Sequence, residues 1–267
     1  MLLVLPLIWI LSVVLGCYVL FHLVFFLMFE KILFQSTVLE QAYDFDLEVP
    51  FEELFIDVNG GSIHGVRLQV GSPKGLILYF HGNRGDLSKW ALVGQELLKY
   101  GHDILMIDYR GYGKSTGLRS EHNLYQDAEA VYDFAQSHYN YAHITVFGRS
   151  LGSAVATHLA SKKRMDCLIL ETPMSSLKEV VGRFYDFILL KSLIKYHLNS
   201  IGRINQVQCP IYVFHGTADQ VVPFYSGERL FQAIEQNSKK MIVIRNGKHN
   251  NLSSFAAYQQ AMEQILK

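Results

Sequence analysis

Short runs, apolar but for Thr145, recur along this chain at Leu76 to Phe80, Ile104 to Ile107, Ile144 to Phe147, Cys167 to Leu170, Ile211 to Phe214 and Met241 to Ile244. Each ends in small or polar residues. A strand with one face in water alternates apolar and polar side chains, so unbroken apolar runs of this length read as strands buried on both faces, as in a parallel sheet. Parallel neighbours need long crossovers, and helical stretches at Trp90 to Tyr100, Leu124 to Ser137 and Ser153 to Ser161 supply them. The alternation specifies an α/β fold. In open sheets of this kind, ligand chemistry gathers at the carboxyl ends of the strands.

Ahead of this body lies a segment of a different kind. From Leu2 to Phe29 no residue is charged, and the interruptions are mild. A helix of that length reaches roughly 40 Å, against about 30 Å of bilayer hydrocarbon, so it is expected to cross a membrane. A cleaved signal peptide is the rival reading. It is disfavoured because the run is too long for the usual apolar core and lacks both a basic start and a small-x-small site before Glu30. Lys31 leans towards a cytoplasmic body. So does the sequon Asn251-Leu252-Ser253, because a glycan there would obstruct the candidate site described below. The expected division is an anchor over 1–30, a mixed-charge connector over 31–50 and one domain over 51–267. That domain opens with two strand-like stretches around the hairpin signal Asn59-Gly60-Gly61.

Charge narrows the classes of partner. The 24 basic and 24 acidic residues cancel, leaving no global field to hold a nucleic acid. The cysteines Cys17, Cys167 and Cys209 sit far apart in apolar contexts and read as buried thiols. Their odd number and the absence of paired Cys/His spacing argue against a disulfide framework and against a metal site.

The chemistry concentrates after the run ending at Phe147. There Gly148-Arg149-Ser150-Leu151-Gly152 matches G-x-S-x-G between a strand and a helix, a sharp turn that lifts a serine above the sheet. A serine hydroxyl is a poor nucleophile until a base takes its proton, so an acid and a histidine should follow in that order. Asp219 follows the Ile211 run, and His249 follows the Met241 run. Glu171 competes for the role of acid because it follows the preceding strand. Asp219 is favoured because it has its own strand-end loop before the histidine. An oxyanion needs two backbone N–H donors. Leu151 is the expected first donor, and Asn83, in His81-Gly82-Asn83-Arg84-Gly85, the second.

Five stretches carry a family resemblance: His81-Gly82-Asn83, Asp108 to Ser115, Phe147 to Gly152, His215 to Asp219 with Val222-Pro223, and Gly247 to Asn250. Together they resemble the α/β-hydrolase superfamily, and within it the single-pass, membrane-anchored abhydrolase-domain serine hydrolases. The resemblance covers the chain from about Glu52 onward. It implies an eight-stranded, mostly parallel sheet with helices on both faces, and ester, thioester or lipid hydrolysis without a cofactor. One departure is Arg84, where such proteins often carry a small residue. It reads as a solvated loop arginine, with an anionic head group as the sharper alternative. Asp108 reads as part of a structural turn.

Between Glu171 and Pro210 an apolar, aromatic insertion, centred on about 174–208, is expected to form a helical lid. Its apolar face either shapes an acyl pocket or packs on its own domain. The chain is therefore expected to be a serine esterase, thioesterase or lipase-like hydrolase of acyl substrates, tied to a bilayer. A serine peptidase on the same fold, and a non-catalytic scaffold that kept the fold, stay open as alternatives.

Overall fold

A computed structural model describes residues 4–184 and 195–267. The apolar N-terminal run is a single helix, α1 (Val4–Leu33), and its stretch Ile8–Leu33 is long and apolar enough to cross a membrane. It is not a core helix: Trp9 is 71% exposed and Leu27 68%. Cys17 lies exposed on α1, so the expectation that all three cysteines are buried fails there; only Cys167 and Cys209 are buried. The neighbours of Cys17 on this stretch of α1, Val13, Val14, Leu20 and Phe21, are exposed as well, so no core cluster of the domain reaches the thiol among the described residues.

The strands are β1 (Gln35–Ser36), β2 (Phe51–Val58), β3 (Gly61–Leu68), β4 (Leu76–Phe80), β5 (Arg84–Gly85), β6 (Asp103–Ile107), β7 (Ile144–Arg149), β8 (Cys167–Glu171), β9 (Ile211–Gly216) and β10 (Lys239–Ile244). β1 and β5 form a small parallel pair. The others make one 8-stranded sheet in the order β10-β9-β8-β7-β4-β6-β3-β2. It is parallel except where the hairpin β2–β3 joins β6 antiparallel. The described helices after α1 are α2 (Leu87–Leu97), α3 (Glu121–His138), α4 (Leu151–Lys162), α5 (Leu177–Phe184), α6 (Phe224–Gln232) and α7 (Ala256–Ile265).

The helices divide between the two faces. Leu124, Val131, Val155 and Leu159 of α3 and α4 share one core cluster with Leu78 and Val146, whereas Leu87, Leu97, Tyr258 and Met262 of α2 and α7 share the other with Ile77 and Phe147. Consecutive residues of β4 and β7 thus feed opposite clusters, which is why those runs are apolar without alternation. Each fully buried aliphatic or aromatic side chain contributes about 1.5–3 kcal/mol. The run at Met241 to Ile244 is the exception. β10 is the sheet edge and Val243 is 47% exposed, so this strand buries one face and not two.

Register places the site. Phe80 of β4 lies level with Gly148 of β7, and Arg149 with Glu171 of β8, so these carboxyl ends stand side by side in the middle of the sheet. The insertion after β8 contributes α5. Its apolar stretch over 185–194 falls outside the described residues, and the lid expectation with it.

Residues 31–50 are not a free linker. Phe45 is buried beside the His64 ring, and Val38 bridges to Gly113. The end of α1 is anchored as well: Tyr196 donates to Glu30 at 2.9 Å and packs edge-on against Phe34.

Candidate active site

Ser150 occupies the turn from β7 into α4 with φ 53° and ψ −117°, a conformation that L side chains rarely adopt. The turn is held by close backbone approach on both sides. A Cβ on Gly152 would lie 2.0 Å from the Phe80 carbonyl oxygen, and one on Gly148 would lie 2.5 Å from the Gly152 carbonyl oxygen. Both positions therefore require glycine. The Ser150 N–H donates to the Glu171 carbonyl at 2.9 Å, which ties the turn to β8.

The loops after β9 and β10 bring Asp219 and His249 to this serine. His249 Nδ1 lies 2.8 Å from Asp219 Oδ2, and His249 Nε2 lies 3.2 Å from Ser150 Oγ. An ionised carboxylate only accepts, so Nδ1 carries the proton and Nε2 presents its lone pair to the serine. Burial alone would raise the Asp219 pKa. Hydrogen bonds from His215, His249 and the Val221 backbone outweigh burial and hold the carboxyl well below its usual range. Its other oxygen accepts the Val221 and Val222 N–H groups at 2.8 and 2.9 Å, fixing the carboxylate plane.

Glu171, the competing acid, is engaged elsewhere. Arg149 Nε lies 3.1 Å from one of its oxygens, and Tyr258 donates to the other at 2.7 Å. Arg149 is a residue whose part sequence reasoning missed, since it fills the unspecified position before the serine. Its guanidinium also donates to the His249 carbonyl at 3.3 Å and to Asn250 Oδ1 at 3.1 Å. Desolvation, the largest single influence, would lower its pKa, but the Glu171 charge together with Tyr79 and Tyr258 outweighs it and raises the pKa, so the cation persists in its buried place. Arg149 thereby joins the Ser150 turn to the His249 loop.

Leu151 opens α4, where the first N–H groups lack an intrahelical acceptor. Asn83 lies after β4, and its N–H has no acceptor among the described residues. The rest of Asn83 is tightly held: its carbonyl accepts from Gln35 N–H at 3.0 Å and from Tyr112 Oη at 2.7 Å, and its side-chain amide donates to the Leu33 carbonyl at 3.0 Å. The chain leaving α1 thus braces this loop, with β1 paired to β5 immediately beyond Asn83. A two-residue strand has no periodicity, and nothing in the sequence marked this contact.

Ser150, His249, Asn83 and Arg149 share a pocket of about 530 Å³, with Trp90 and Val221 on its wall. Among the described residues no group of three or more His, Cys, Asp or Glu could hold a metal ion. Asp108, read as structural, is a buried carboxylate away from this pocket, bonded by His64 and by the Leu87 N–H that starts α2.

Comparison with known proteins agrees with the fold. A family model described as the alpha/beta hydrolase fold matches residues 75–192. An uncharacterized protein of Mycobacterium tuberculosis is 38% identical over 177 residues, covering 66% of this chain and 63% of that protein. The match thus spans less than two thirds of that relative's own length. The alpha/beta hydrolase domain-containing protein 17B of Xenopus laevis is 29% identical over 198 residues, covering 73% of this chain and 67% of that protein. Among solved structures, an esterase of Pyrococcus furiosus superposes with a TM-score of 0.71 at 19% identity, over 87% of this chain and 98% of that one. With a glycine-flanked serine on the strand-to-helix turn and the sheet order described above, the chain belongs to the α/β-hydrolase superfamily.

Proposed function

We propose that this protein is a membrane-anchored serine hydrolase that cleaves carboxylic ester or thioester bonds of acyl, lipid-like substrates. The observation that carries the reading is the line from Ser150 Oγ through His249 Nε2 at 3.2 Å and Nδ1 to Asp219 Oδ2 at 2.8 Å. Ser150 Oγ attacks the carbonyl carbon while His249 Nε2 takes its proton. The oxyanion is held by the N–H groups of Asn83 and Leu151. Collapse expels the alcohol or thiol, which leaves with the proton from His249. Water then attacks the acyl-enzyme, giving its proton to His249. The second collapse frees the carboxylic acid and returns that proton to Ser150. Asp219 keeps the imidazole tautomer throughout.

Residues 1–30 act as the anchor in this reading, and residues 51–267 form the catalytic domain, with 31–50 packed against it and an insertion at about 174–208. Lys31, beside the end of α1, favours a cytoplasmic body. Fluorophosphonate labelling of the full chain in bilayer discs tests the chemistry. Wild type is expected to label, and Ser150→Ala and His249→Ala are not; folded wild type that fails to label would remove the main support for an activated serine.

A further inference from the structure

The pocket at Ser150 has an uneven charge. Arg84, Lys89 and Arg149 line it, and no Asp or Glu does among the described residues. Arg149 is neutralised by Glu171. Arg84 and Lys89 are exposed, and neither has an ion pair or a side-chain hydrogen bond among the described residues. Two unpaired cations beside the apolar surfaces of Trp90, Val93 and Val221 suit a ligand with a negative group at one end and hydrocarbon at the other.

The same pocket lies next to the membrane helix. Gln35 lines it, two residues beyond the last residue of α1, or about 7 Å of extended chain. The span Ile8–Leu33 is 26 residues, about 39 Å of helix, against roughly 30 Å of hydrocarbon and 40–45 Å with the head-group layers. If α1 crosses the bilayer, Leu33 ends in a head-group layer, and the pocket opens beside it. Outside α1, the two most exposed large apolar side chains among the described residues belong to the same end of the domain: Val38 at 72%, in the segment leaving α1, and Leu118 at 84%. Leu118 precedes Arg119, whose guanidinium lies over Phe34 and reaches the Ser36 hydroxyl. Apolar side chains around a helix exit suit contact with lipid.

We propose that the pocket faces the lipid head-group layer and takes an anionic amphiphile, an acyl ester or thioester whose negative group pairs with Arg84 and Lys89. The assignment rests on the serine-hydrolase reading and names its substrate class. A negative group there is held in the same pocket as Ser150, so the cations act on turnover of the charged substrate and not on its neutral counterpart in equal measure.

The test uses the full chain in phosphatidylcholine vesicles with 4-nitrophenyl decanoate and its ring-carboxylated, anionic analogue, read as the ratio of their kcat/KM values. Arg84→Ala is expected to lower the anionic-to-neutral ratio about threefold, the size of one exposed ion pair. The double charge reversal Arg84→Glu with Lys89→Glu is expected to lower it by about tenfold or more, and added salt to narrow the difference. Using a ratio cancels differences in the amount of folded enzyme. An unmoved ratio in the reversed variant overturns the assignment. So does a variant that responds only when phosphatidylglycerol is doped into the vesicles, because the cations then read the bilayer's charge and not the substrate's. Fluorophosphonate labelling of the same preparations separates the two failures: labelled Ser150 with an unmoved ratio sinks only the pocket assignment, whereas absent labelling sinks the hydrolase reading.

Discussion

Two carboxylates in this fold are built alike and sit in different places. Asp219 lies near His215 and His249, at 3.5 and 2.8 Å; Asp108 lies near His64 and His81, at 3.2 and 3.5 Å. In both, burial pushes the pKa up and hydrogen bonds from the two histidines push it further down, leaving it below the ordinary value. The difference lies in what the histidines face. The His249 side chain is 12% exposed and points Nε2 at Ser150 Oγ. His64 and His81 are fully buried; His81 stacks on Trp90 and packs at a tilt against Tyr109, and the other nitrogen of His64 faces Glu53. A perturbed carboxylate is therefore not in itself a sign of catalysis. Under the proposed mechanism, access and a serine hydroxyl within reach make the distinction.

The sharpest way to break this comparison is to neutralise each acid in turn. Asp219→Asn keeps an acceptor for Val221 and Val222 but can donate to His249 and impose the wrong tautomer, so kcat on a simple ester is expected to fall about 10⁴-fold. Asp108→Asn in the same assay is expected to stay within about tenfold of wild type. Equal losses in the two variants would mean that the clusters share one role, and the comparison would collapse.

Stability should show the opposite order. Asp108→Asn leaves His64, His81 and the Leu87 N–H around a weaker acceptor in a fully buried site, and losing an ionised acceptor from a buried hydrogen-bonded cluster costs about 3 kcal/mol. For a domain of this size that is roughly 6–12 °C in Tm. Asp219→Asn should lower Tm by much less, since its loop retains the backbone bonds. Thermal melts of the two variants side by side check this.

How far the sequence foretold these two sites follows from what a linear pattern can carry. The strand runs were legible because burial on both faces removes alternation, and Ser150, Asp219 and His249 because each stands just past such a run, where register brings strand ends together. Asp108 was legible as structural from the glycines after it: a Cβ on Gly113, which has φ +47°, would sit 1.8 Å from its carboxylate. The brace from Gln35 to Asn83 was not legible, because two-residue pairing has no period. Nor was the Arg149–Glu171 pair, in which an unspecified motif position meets the residue that competed for the role of acid. The one-sided burial of β10 was missed because an apolar run does not tell whether its strand lies at an edge.

A smaller effect separates both clusters from ordinary surface carboxylates. A carboxyl whose pKa is lower in the folded than in the unfolded chain stabilises the fold above the unfolded value, about 3.9 for Asp, and that stability is lost as pH falls through the folded value. Both acids are shifted down, so both should steepen the loss of stability below about pH 5. Urea melts between neutral and acid pH should show a shallower acid decline in Asp219→Asn and in Asp108→Asn than in wild type. A parallel decline in all three would mean that neither carboxyl contributes through its charge.

Glu171 offers a third carboxylate against which the first two can be judged, and the finest test. It lies beside the Ser150 turn yet bonds Arg149 and Tyr258, with no histidine partner among the described residues. Tyr258→Phe removes one donor to this buried acid and should cost about 1 kcal/mol. If Glu171 acts only as a brace, the loss appears in the melt and kcat is unchanged within about twofold, because the Arg149 pair still holds. If Arg149 positions the histidine through the His249 carbonyl, loosening its partner should lower kcat severalfold at unchanged KM, and restoring a donor with Tyr258→His should return part of it. The split between melt and kcat thus decides whether the carboxylate that competed for the triad acts on the reaction through Arg149 or only on the fold.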